Sequence, residues 1–206
     1  TCDKLLETGK TEDAYFLRGS AYLQRSEYKK AEKDFQKVLS NSKDYQDYLD
    51  IYLVYQACDL NADGAEYLED GLKLKGSSPE DFYQRGRIYY YLSEYKKAEK
   101  EMKKAREKGY DQAAVYLGKI YAENQEFDKA MTMYEECLEI EGLEAEGYNG
   151  LAVCAASEGD YEKALSYIEK GLKQDDWEMN QVLTAYLEMY PGDKNAVREG
   201  YFLETR

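Results

Sequence analysis

Five small residues, Ala31, Gly64, Ala98, Ala130 and Ala164, recur at intervals of 33, 34, 32 and 34 positions. A bulky residue follows each of them four positions later: Phe35, Leu68, Met102, Tyr134 and Ile168. Self-similarity at a fixed period of this size marks a stacked repeat, in which each unit buries its apolar face against the next. The 206 residues hold about six such periods. A chain built this way is expected to act through a surface and not through a catalytic cluster.

Between the small residues, apolar side chains fall three and four positions apart, the spacing of amphipathic helices. The unit at 12–44 shows the pattern. Its first helix carries Tyr15, Gly19 and Tyr22, a turn falls at Arg25-Ser26-Glu27, and its second helix carries Tyr28, Ala31, Phe35 and Val38. Small residues at 19 and 31 are expected to let the two helices approach closely. The same pattern places further units at 45–78, 79–110, 111–144 and 145–178. Residues 1–11 read as the tail of a preceding repeat, and 179–206 as a shortened terminal pair that caps the stack. Pro79 and Pro191 are expected at helix starts or breaks. In the second unit Tyr52 stands where a small residue is expected, which predicts a looser helix contact there.

A formal net charge of -14 repels phosphate, so neither nucleic acid nor an anionic membrane surface is an expected partner. The longest apolar run, Leu151–Ala156, is far short of the ~20 residues a membrane helix needs, so direct insertion is not expected. The opening residues are polar and show no signal peptide. Compartment stays open: a bacterial cytoplasmic scaffold and a lipid-anchored or secreted envelope protein with its leader removed fit equally.

The chain has no histidine, which removes Ser-His and Cys-His nucleophile pairs and imidazole metal sites together. No glycine-rich phosphate loop of either common form occurs. Its 42 carboxylates are read mostly as solvated helix faces. No enzyme activity and no cofactor are expected. The four cysteines, Cys2, Cys58, Cys137 and Cys154, include no CxxC and read as small buried thiols, with a Cys137–Cys154 bridge between neighbouring repeats as the alternative. The lone Trp177 either packs against the terminal helices or stands exposed as an anchor for a partner.

The series of small residue, aromatic three later, alanine nine after that and bulky residue four beyond, as in Gly19-Tyr22-Ala31-Phe35 and Gly86-Tyr89-Ala98-Met102, resembles the tetratricopeptide repeat. Departures from that pattern are the early tryptophan, replaced by Tyr15, Tyr48, Phe82, Ala114 or Tyr148, and the missing proline at the repeat ends. The resemblance implies an all-α, right-handed superhelical solenoid of antiparallel helix pairs, with second helices forming an acidic convex face. It also implies non-enzymatic binding of a protein or extended peptide in a concave groove lined by first helices. Self-association or docking of an upstream domain through the terminal repeats is the alternative. The resemblance and the composition lean towards a bacterial source.

Matching each first helix to the family pattern projects Phe16, Ser20, Leu23, Gln24, Leu49, Leu53 and Gln56 into the groove, giving an apolar N-terminal stretch. Further along it projects Tyr83, Arg87, Tyr90, Tyr91, Val115, Lys119, Glu123, Asn149 and Val153. Tyr83, Arg87, Tyr90 and Tyr91 share one helix face, and Lys119 is the next repeat's equivalent of Arg87. Two neighbouring cations beside tyrosines suit a carboxylate ligand, unless Glu80 or Glu123 pairs with them. The family's clamp for acidic chaperone tails is not matched at Phe16 and Ser20, so chaperone binding is not expected.

Asp59, Asn61, Asp63 and Gly64, ending at Asp70, resemble an EF-hand calcium loop. The repeat register needs a helix over the same residues. They are therefore read as an Asp/Asn-rich turn capping a helix, and a metal site is not expected.

Overall fold

A computed structural model describes residues 11–40 and 42–173. Of the tail expected at 1–11 only Thr11 is described, and it is helical; Cys2, Trp177, Pro191 and the cap expected at 179–206 lie outside the described residues. Among the described residues all regular structure is helical: α1 (Thr11–Gln24), α2 (Tyr28–Leu39), α3 (Tyr45–Gln56), α4 (Asn61–Gly71), α5 (Pro79–Tyr91), α6 (Tyr95–Glu107), α7 (Ala113–Glu123), α8 (Phe127–Cys137), α9 (Glu144–Ser157) and α10 (Tyr161–Gly171). Two compact units divide at Ser77/Ser78. In the first, α1 pairs with α2 and α3 with α4. In the second, α5 pairs with α6, α7 with α8 and α9 with α10.

Local chemistry sets the helix ends. Ser78 caps α5 by accepting from the Asp81 amide at 3.0 Å, while Asp81 accepts from the Ser78 amide at 2.7 Å, and Pro79 stands in the first turn. Asp44 caps α3 and Asp160 caps α10 in simpler form. Every turn within a helix pair closes alike. One residue takes positive φ, Ser26, Asp59, Ser93, Gln125 or Gly159. The amide after it reaches back to a carbonyl five residues earlier, as in Glu27 to Tyr22 at 2.9 Å and Glu94 to Tyr89 at 2.8 Å. These are Schellman closures, which satisfy the last carbonyls of a helix.

Asp59 therefore occupies the left-handed turn position, and Asn61, Asp63 and Asp70 lie on α4. A calcium loop needs irregular backbone where α4 is helical. The capping expected of this turn is also corrected: Leu60 stands at the N-cap and makes no side-chain cap bond.

Close approach at the small residues is literal. A Cβ added at Gly19 would stand 2.8 Å from the Phe35 ring, at Gly86 2.7 Å from the end of Met102, and at Gly118 2.6 Å from the Tyr134 ring. In the second repeat the small partner has moved to the opposite helix. Gly64 makes room for Tyr52 and Tyr55, which are both buried. The contact is close there too, contrary to the looser packing expected.

The first unit's core gathers Leu23, Ala31, Phe35, Ile51 and Tyr55. A larger cluster in the second runs from Ala98 and Met102 through Leu117, Ile120 and Tyr134 to Leu151 and Cys154. Cys58, Cys137 and Cys154 are free thiols, so the Cys137–Cys154 bridge is absent. The second helices are not uniformly acidic. α6 carries six Lys or Arg against three Glu, whereas α4 carries four acids and no base.

Candidate functional site

In the second unit the first helices α5, α7 and α9 stand side by side, each packed on the next. Positions equivalent by repeat therefore become neighbours in space. Tyr83, Arg87, Tyr90 and Tyr91 come to one face of α5, and α7 brings Tyr116 and Lys119 against them.

The Tyr116 ring is the centre of this cluster and is only 8% exposed. Tyr83 and Tyr90 meet it edge-on, with centroids at 5.6 and 5.5 Å. Such T-shaped contacts set the positive edge of one ring against the negative face of the other. Tyr110 meets Tyr83 in turn, with centroids 4.7 Å apart and the ring planes tilted by 34°. The guanidinium of Arg87 lies 5.8 Å from the Tyr116 centroid and 5.7 Å from that of Tyr83. The ammonium of Lys119 lies 5.2 Å from the Tyr116 centroid. Two cations therefore lie within cation–π reach of one aromatic ring.

Arg87 donates from Nε to the Tyr116 hydroxyl at 3.2 Å and from a terminal nitrogen to the Gln84 amide oxygen at 2.9 Å. The hydroxyls of Tyr91 and Tyr116 are 3.5 Å apart. Tyr90 donates to Glu123 at 3.4 Å. Lys119 is exposed and makes no ion pair among the described residues.

Burial raises the Tyr83 phenol above its ordinary range. Burial also raises Tyr91, aided by Tyr116. Tyr116 moves the other way. Burial alone would raise it, but the charges of Arg87 and Lys119 outweigh burial and lower it.

The projected residues divide accordingly. Tyr83, Arg87, Tyr90, Tyr91 and Lys119 converge. Asn149 stands half-buried on α9, and its side chain makes no hydrogen bond among the described residues. Val115 is buried against Cys137 and Leu143. In the first unit, Leu23 is 2% exposed and Leu49 fully buried, so both are core residues and not groove residues. Phe16 packs on the Phe35 cluster with ring centroids 6.1 Å apart, and Leu53 is half-buried. The apolar N-terminal surface is thus reduced to Phe16 and Leu53.

Tyr116, Gln84 and Tyr110 were missed. Tyr116 and Lys119 are three residues apart on one helix, and that shared face was the available signal. A separate cavity of about 340 Å³ opens among α2, α3 and α4, lined by Glu32, Gln36, Tyr48, Glu66, Tyr67 and Asp70. No helix of the described residues is long and apolar enough to cross a membrane.

Comparison with known proteins adds the family. Models described as tetratricopeptide repeat match residues 83–142, 12–45 and 145–176. Among solved structures, the type IV pilus biogenesis factor PilW is 18% identical, with a TM-score of 0.58 over 92% of this chain and 90% of that one. PilF of Pseudomonas aeruginosa is 18% identical, with a TM-score of 0.55 over 96% and 99% of the two chains. MamA is 22% identical, with a TM-score of 0.50 over 79% and 96%. At these identities the likeness is one of fold. No curated protein matches the chain. The chain belongs to the tetratricopeptide repeat family, an all-α helix-pair solenoid that serves as a scaffold for protein–protein interaction.

Proposed function

We propose that the protein is a non-catalytic docking scaffold whose second unit holds an acidic segment of a partner protein against α5 and α7. One observation carries this reading: Arg87 and Lys119 both stand over the Tyr116 ring, within 5.8 and 5.2 Å of its centroid. A carboxylate at Lys119 gains a charge-assisted bond, and the tyrosines around it offer apolar area with little rotamer entropy to lose. Cationic ligands are disfavoured by the same pair. One short extended segment would bind with micromolar affinity, on the order of -8 kcal/mol.

Lys119 is the residue to change. Arg87 is enclosed by phenols and Gln84, so a glutamate there would bury an unsupported carboxylate. Decapeptides of acidic, neutral and basic composition, titrated against the wild type and Lys119→Glu, test the reading. Acidic peptides should bind the wild type and weaken by about tenfold or more in the variant, with an unchanged helical melt. Equal affinity in both proteins, or preference for basic peptides, overturns it.

A further inference from the structure

Tyr116 has a role of its own in this cluster. Its oxygen already accepts from Arg87 Nε, and loss of the phenol proton would turn that same oxygen into an anion at the centre of the cluster. The charged and titratable groups around it are Tyr83, Arg87, Tyr90 and Tyr91 from α5 and Lys119 from its own helix. Farther out, Glu123 accepts from Tyr90, and Glu146 of α9 acts on Tyr83.

We propose that Tyr116 is the specificity-determining residue of the anion site, acting as an internal competitor. Seating of a ligand carboxylate and loss of the Tyr116 proton exclude each other, because both draw on Arg87 and Lys119. The proposal rests on the acidic-ligand reading above.

With Tyr116 neutral, the cluster presents two positive charges in a partly dehydrated setting, where charge interactions are stronger than in water. With Tyr116 ionised, one of those charges is neutralised from inside and a second anion is repelled. Linkage makes the effect reciprocal: a bound carboxylate must make the Tyr116 proton harder to remove by the factor through which the phenolate weakens the carboxylate. The lowered acidity range of Tyr116 brings this competition below the pH at which an ordinary tyrosine ionises.

Two measurements test it. The first needs no ligand. Tyrosinate absorbance is titrated for the wild type and Tyr116→Phe, and the difference should show one phenol ionising below the ordinary value of about 10. Lys119→Met, a surface change, should move that midpoint up, which keeps the test decisive should Tyr116→Phe fold poorly.

The second measurement follows the affinity of acetylated tetraglutamate with pH for both proteins. The wild type should weaken by up to about tenfold per pH unit above the Tyr116 midpoint. Tyr116→Phe should hold its affinity over the same pH range. Superposed profiles, or a Tyr116 midpoint at or above the ordinary value, overturn the competitor role alone. Absence of tetraglutamate binding to either protein at any pH overturns the acidic-ligand reading, and the proposal with it.

Discussion

Arg85 donates through Nε and a terminal nitrogen to the same oxygen of Glu101, at 3.0 and 2.8 Å, a residue that is only 8% exposed. Arg18 and Asp34 make the equivalent pair in the first repeat, at 2.7 and 2.9 Å. The other three repeats hold Ile51 and Tyr67, Leu117 and Met133, and Leu151 and Tyr167 at these positions. One architectural position is thus filled by ion pairs in two repeats and by apolar pairs in three.

That comparison supplies its own control. Arg85→Leu alone leaves Glu101 buried beside only Lys104 and should destabilise the second unit by roughly 3 kcal/mol. Arg85→Leu with Glu101→Met installs the pair that the fourth repeat already uses, and should return stability to within about 1 kcal/mol of the wild type or above it. Urea denaturation of the three proteins decides. A double variant as unstable as the single one would show that the ion pair itself is required.

Acid should reveal the same pair. Burial would raise the Glu101 carboxyl, but bonds from Lys104 and Arg85 outweigh it and hold the group below the usual carboxylate range. A depressed folded-state value contributes stability above the ordinary carboxylate pKa of about 4.3, and that contribution is lost as pH falls through the folded value. The wild type should therefore lose melting temperature between about pH 5 and pH 3 more steeply than the Leu/Met double variant. Parallel pH profiles would contradict this.

Glycine substitutions should separate rigid from yielding contacts. At Gly150 a Cβ would stand 2.3 Å from the Tyr134 ring, and a Cβ at Gly118 would stand 2.6 Å from the same ring. Two helices already crowd this ring, so Gly150→Ala should cost about 1–3 kcal/mol. At Gly86 the obstacle is the end of Met102, a flexible side chain. Gly86→Ala should be near neutral, since alanine's helix preference of about 1 kcal/mol offsets the displacement. Thermal melts that rank the two the other way would refute the assignment.

Thiol chemistry should follow burial. Burial pushes Cys154 up to about 12 and Cys137 up to about 11, so little thiolate forms at neutral pH. Among the described thiols, Cys58, which is only half-buried, should react with an alkylating reagent first. The other two should react only as the second unit opens. Mass-mapped labelling with and without urea checks the order.

Much of the fold was legible because its signal is local. A glycine at 19, 86 or 118 and a bulky residue sixteen later both lie on the seam of one helix pair, so a period in sequence is a contact in space. What escaped was reciprocal or lateral. Gly64 and Tyr52 exchange the small and large roles, so neither looks regular alone. Asp34 and Glu101 look like members of a solvated charged face until their arginine, sixteen residues earlier, is seen to turn inward. Leu23 and Leu49 were projected outward by a family register, whereas packing within the first unit draws them into its interior. Tyr116 does most of its work across to a neighbouring repeat, and a helix-by-helix projection does not register that.

The left-handed turns carry a different implication. Glycine adopts positive φ freely, yet four of the five turns place Ser26, Asp59, Ser93 or Gln125 there, each at a conformational cost of about 1 kcal/mol. Only Gly159 avoids it. The repeat array therefore stands below the stability its own backbone permits. Tolerance of destabilising change elsewhere can be widened at these four positions without touching a single packed or binding side chain.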